Sequence, residues 1–134
     1  MRTLLVLVDD PDLRKKLRRA LGQYRLIEAT NAEQALRLFI DNGSYVDLLL
    51  TDLAVGSAGL RVAMFLRSEM RNLPVVVIAG YPVKNWTARD TVDLHRLGQK
   101  SVAILNKPVQ STLLTKYVEE LLEHRPPNPP RAPH

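Results

Sequence analysis

Apolar residues fall into two alternating rhythms along the chain. Residues 3–8 (TLLVLV), 25–29, 46–51, 75–79 and 101–105 are short, nearly unbroken apolar runs bounded by turn-formers. Such runs predict strands buried on both faces, as in parallel sheets. Between them the apolar positions return every three or four residues, the period of a helix with one buried stripe. The stripes read Leu13, Leu17, Ala20 and Leu21, then Ala35, Leu36, Phe39 and Ile40, then Leu60, Met64, Phe65 and Leu66. Val92, Leu94 and Leu97 form the fourth, and Leu113, Leu114, Tyr117, Val118, Leu121 and Leu122 the fifth. Local signals mark the ends. Asp10 before Pro11 predicts an N-cap with proline at the first helical position. Asn31 with Gln34 resembles a capping box, and Thr87 with Asp90 and Ser111 are further N-cap candidates. Gly22 and Gly98 end helices, while 41–44 and 80–82 are turns. Five strands alternating with five helices predict an α/β fold with a doubly wound, five-stranded parallel sheet.

The length, 134 residues, suits one domain with one core, expected to span residues 1–124. From Arg125 the chain reads RPPNPPRAPH, with five of the nine prolines. Residues 125–134 are therefore expected as a disordered or polyproline-like tail or linker stub. The absence of cysteine excludes disulfides, thiolate metal sites and a catalytic thiol. No run approaches the roughly 18 apolar residues of a membrane span. The first run meets Asp9 and Asp10, unlike a signal peptide, so a cytoplasmic location is expected. The net charge of +5 raises the question of nucleic acid. Much of the excess sits on one helix, as Arg14, Lys15, Lys16, Arg18 and Arg19, with no aromatic residue among them. That pattern reads as a solvated face, and nucleic-acid binding is not expected.

Candidate chemistry gathers where the strands end. The stretch 47–59, DLLLTDLAVGSAG, runs apolar into Asp52 and then opens into a loop of small residues. Asp9 and Asp10 follow the first strand, and Lys107 follows the fifth. Ligands of open parallel sheets bind outside the carboxyl ends of the strands. Singly, each residue has a plain structural use: Asp10 as a cap, Asp52 in a turn, Lys107 in solvent. Together, three mutually repelling carboxylates call for a cation, and hard oxygen donors favour Mg²⁺. A lysine opposite them offers a point charge to a phosphoryl oxygen. A carboxylate beside a divalent ion can act as a nucleophile toward phosphorus.

The segments VLVDDPDLR, DLLLTDLAVGSAGL, LPVVVIAGYP and ILNKPV resemble, in order and over about residues 2–123, the receiver domain of two-component response regulators. The resemblance implies a flavodoxin-like sheet of order 2-1-3-4-5 and transfer of a phosphoryl group from histidine to aspartate. It implies Asp52 as phospho-acceptor, Mg²⁺ (or Mn²⁺) as cofactor, and Asp10 as direct metal ligand. Asp9 would act through water, with the backbone carbonyl of Ala54 as a further ligand. Lys107 would contact the phosphoryl group, and Pro108 would follow a cis bond. The implied partners are a sensor histidine kinase or a histidine phosphotransfer protein. The α4–β5–α5 face, roughly residues 90–122, would serve for docking or a homodimer.

Several positions depart from that pattern. Ala79 replaces the usual Ser or Thr, and Ile104 replaces the usual Tyr or Phe. Gly56 stands where the loop after the acceptor commonly has proline, and that loop looks a residue short. The stretch from Ala79 to Lys107 is longer than usual and holds the only tryptophan, Trp86. Phosphorylation with atypical switching is therefore expected. The alternative is a pseudo-receiver that binds its partner regardless of phosphorylation. A turnover enzyme is not expected. A phosphatase with an aspartate nucleophile would need an acid at Ala54, and no GxGxxG follows the first strand. His95, His124 and His134 are not placed near Asp52 by the sequence. Tyr81 and Trp86 read as loop anchors or part of a partner surface.

Overall fold

Five strands pair in parallel in the order β2-β1-β3-β4-β5. They are β1 (Thr3–Leu7), β2 (Arg25–Ala29), β3 (Leu48–Asp52), β4 (Val75–Ala79) and β5 (Val102–Asn106). Helices α1 (Pro11–Ala20), α2 (Ala32–Asp41), α3 (Ala58–Glu69), α4 (Ala88–Leu97) and α5 (Ser111–Glu123) alternate with them. The computed structural model describes residues 1–55, 58–98 and 100–123. The expectations for Gly56, His124, His134 and the proline-rich tail lie outside the described residues.

Alternate strand residues face opposite sides, so the sheet divides the interior into two cores. Leu5, Leu7, Leu49, Val75 and Val77 pack with Phe39, Leu60, Ala63, Leu66 and Leu97 from α2, α3 and α4. Leu4, Val6, Leu48, Leu50, Val76 and Ile78 pack with Leu13, Leu17, Leu114 and Val118 from α1 and α5. β3 and β4 are buried throughout, as their unbroken apolar runs require. β5, at the sheet edge, is only half-buried along Val102, Ala103 and Ile104.

The caps follow the local signals. Asp10 accepts from the Asp12 N–H and Pro11 opens α1. Asn31 accepts from the Gln34 N–H at 2.8 Å, while the Gln34 side chain accepts from the Thr30 N–H. Thr87 caps α4 by accepting from the Asp90 N–H, and Gly98 closes it at φ 79°. Ser111 is the exception: it is already the first residue of α5, and the Gln110 carbonyl accepts from the Leu114 N–H.

Three helical stripes are turned from their expected faces. Ile40 and Phe65 are exposed, because each sits one residue (about 100° around the helix) from a neighbour that takes the core, Phe39 or Leu66. On α4 the difference is larger. Val92 points to solvent, while Asp90 and Asp93 are buried together with Leu97.

Two contacts position α3. A Cβ on Gly59 would stand 2.5 Å from the Thr51 hydroxyl, so only glycine lets the helix start this close to β3. At the far end the Arg67 guanidinium donates to the carbonyls of Leu73, Leu97, Lys100 and Ser101, tying α3 to the entries of β4 and β5. Burial lowers the pKa of this guanidinium below its ordinary value.

Candidate functional site

The strand register brings the carboxyl ends of β1, β3, β4 and β5 into line. Leu7 pairs with Thr51, Asp52 with Ile78, and Ala79 with Asn106. Asp52, the last residue of the central strand, therefore lies at the top of the sheet, and it is almost fully buried at 1% exposure. Its two oxygens have different partners. The Ala54 N–H, in the short 3₁₀ turn Leu53–Val55, donates to Oδ1 at 2.9 Å. The Lys107 ammonium contacts Oδ2 at 2.9 Å.

Lys107 reaches Asp52 from two strands away. Its backbone N–H donates to the Ala79 carbonyl at 2.9 Å, which seats the chain leaving β5 across the end of β4. The Lys107–Pro108 peptide bond is cis. The lysine side chain remains one-third exposed while its ammonium contacts the buried carboxylate.

Asp9 and Asp10 extend past β1, directly beside β3, and both are exposed. One Asp10 oxygen caps α1. Among the described residues no three His, Asp or Glu side chains are gathered into a group that would hold a metal by themselves. The donor chemistry still fits Mg²⁺, which keeps several waters and takes one or two carboxylates plus phosphate oxygens. The structure thus unites Asp52, Ala54 and Lys107 in direct contact and leaves Asp9 and Asp10 at the adjoining strand end.

The segment after Ala79 folds as a strap. Gly80 and Tyr81 lead into a 3₁₀ turn, Val83–Asn85, and Trp86 folds under it. The indole is buried and donates to the Tyr81 carbonyl at 3.1 Å, which makes Trp86 the loop anchor. Tyr81 and Val83 remain exposed. His95 is exposed on α4 and beside a cleft there, with no described bond to Asp52. Arg67 and the buried pair Asp90 and Asp93 escaped sequence reasoning. Polar residues in a helical stretch carry no signal of burial unless the helix's neighbours are known.

No protein-family model matches this chain, and no curated protein matches it by sequence. Its similarity to known proteins lies in the fold. A response regulator receiver protein of Sinorhizobium medicae superposes with a TM-score of 0.74 at 23% identity, covering 92% of this chain and 95% of the other. A two-component response regulator of Clostridium difficile gives 0.75 at 19% identity, covering 92% and 98%. The signal receiver domain of an HD domain-containing protein from Pseudomonas fluorescens gives 0.76 at 20%, covering 92% and 95%. The chain has the fold of response regulator receiver domains, the five-stranded flavodoxin-like sheet of order 2-1-3-4-5. No helix among the described residues is long and apolar enough to cross a membrane.

Proposed function

We propose that the chain is a phospho-accepting receiver module of a histidine-to-aspartate phosphorelay, with Asp52 as the acceptor. The observation that carries this reading is a buried carboxylate at the end of the central strand, held by one backbone N–H and one lysine. A carboxylate serving only as a turn residue has no need of both. The donor is a phosphohistidine of a sensor kinase or a histidine phosphotransfer protein. An Asp52 oxygen attacks phosphorus as the bond to the donor nitrogen breaks, and the electron pair leaves with the imidazole. The Ala54 N–H keeps the carboxylate aimed out of the sheet. The Lys107 ammonium, already at the carboxylate, meets a phosphoryl oxygen and offsets its charge. Asp9, Asp10, Asp52 and the Ala54 carbonyl would hold Mg²⁺ (or Mn²⁺). When bound, that ion neutralises the carboxylates and the phosphoryl oxygens.

Output passes through protein contacts in a cytoplasmic setting. The half-buried edge of β5 supports docking or self-association on the α4–β5–α5 face. Clefts of about 600 and 450 Å³ flank it, one toward α4 and one toward α5. Ala79 and Ile104 lack the hydroxyl and the ring that would couple acceptor to surface. They favour a second reading, an interaction module indifferent to phosphorylation.

Intact-mass spectrometry after incubation with acetyl phosphate and Mg²⁺ separates the two. A gain of one phosphoryl mass in the native chain and none in Asp52→Asn is expected. Failure of the native chain to gain it from acetyl phosphate or from a phosphorylated histidine phosphotransfer protein, with Mg²⁺ present, overturns the acceptor reading in favour of the second.

A further inference from the structure

The inner face of α4 is built from residues that disfavour its seat. Asp90 and Asp93 are each only 6% exposed, and Oδ1 of the first and Oδ2 of the second have no hydrogen-bond partner among the described residues. Three residues apart on a helix, the two carboxylates are neighbours on one face. Among the described residues no ion pair joins either of them. Arg67, the half-buried cation of the adjacent α3, commits its guanidinium to the carbonyls of Leu73, Leu97, Lys100 and Ser101 and so does not neutralise them. Each carboxylate thus turns one oxygen away from both water and any described donor, which opposes the packing that holds it there.

Two further features point the same way. Val92, a β-branched apolar residue in the middle of the helix, is half exposed at 50% and contributes little to the seat. Between α4 and β5 lies the cleft of about 600 Å³, lined by Leu94, His95, Gly98, Val102 and Ile104. The helix therefore lacks close packing on that flank. Its ends, by contrast, are well held: Trp86 pins the strap before it, and Arg67 and Gly98 fix the turn after it.

We infer that α4 is a detachable element, opening from its seat between the pinned ends well before the rest of the fold unravels. Opening returns Asp90 and Asp93 to water and bares Leu94, Leu97, Val102 and Ile104. The strap of residues 80–87 connects this movement to the end of β4 beside Asp52. The inference is independent of whether Asp52 accepts a phosphoryl group.

Native-state hydrogen exchange on the full chain tests it. The amides of residues 92–97 are expected to exchange roughly a hundredfold or more faster than the slowest amides of α3 and α5. Asp93→Leu removes one charge and supplies apolar contact. It is expected to slow exchange in α4 roughly tenfold or more, the lower end of what such replacements give, with α1 and α5 unchanged. Asp93→Asn, nearly isosteric, is expected to slow it less and guards against a misfolded leucine variant. Exchange in α4 as slow as in α3 overturns the inference. So does a rate in α4 that neither substitution lowers.

Discussion

Gly59 shows how one missing methyl group decides where a helix lies. In an exposed helix, alanine in place of glycine stabilises by about 1 kcal/mol. Here the added Cβ would meet the Thr51 hydroxyl at 2.5 Å, and that buried hydroxyl has no hydrogen-bond partner among the described residues to lose by being removed. Gly59→Ala should therefore lower stability, by about 1–3 kcal/mol, as overpacking does. Thr51→Ala in the same background should recover most of it. Urea titration of the two single variants and the double variant checks this, and a more stable Gly59→Ala protein would refute so close an approach. The sequence marks 56–59 as small residues but does not reveal this role, because the crossing point of α3 over β3 belongs to tertiary structure. Asp52 and Lys107 were legible for the opposite reason. Strand ends are set by local pattern, and parallel strands present their carboxyl ends on one edge whatever the packing details.

At the scale of elements, strands and helix starts could be read closely, while helix faces could be read only in part. Caps depend on residues within one turn, so Asp10, Asn31 and Thr87 act as their spacing indicates. Which side of a helix faces inward depends on its neighbours, and α4 shows the failure: the apolar stripe through Val92 loses to a stripe containing Asp90 and Asp93. Arg67 is a second case, a cation in a helix that a sequence reader leaves in solvent. Its fork spans carbonyls from three separate segments. Arg67→Ala should cost about 2–4 kcal/mol, since hydrogen bonds from a charged donor are lost and half-buried carbonyls are left unpaired. Arg67→Lys should recover less than half, because an ammonium cannot reproduce the planar fork. Chemical denaturation of both variants measures the difference, and a lysine variant as stable as the native chain would sink the claim that geometry, rather than charge, is what matters.

For the whole molecule, what is shared with the solved receiver domains at 16–23% identity is the fold. Strand order puts β1 beside β3 and β4 between β3 and β5, so a lysine after the last strand crosses one strand end to reach Asp52. That topology also links site occupancy to global stability. Asp9 and Asp10 adjoin the end of β3 only in the folded chain, so an ion bound at the proposed site would stabilise the fold by mass action, by about 3 kcal/mol at a hundredfold excess over its Kd. Thermal melting with increasing Mg²⁺ should show a midpoint that rises with the logarithm of concentration. Asp10→Asn makes the test specific. Asparagine caps a helix as well as aspartate does, so α1 keeps its start, while one hard anionic donor is lost. The variant should melt close to the native protein without Mg²⁺ and should gain much less from it. Equal gains in both proteins would place any bound Mg²⁺ away from Asp10 and count against the proposed metal site beside the Asp52–Lys107 pair.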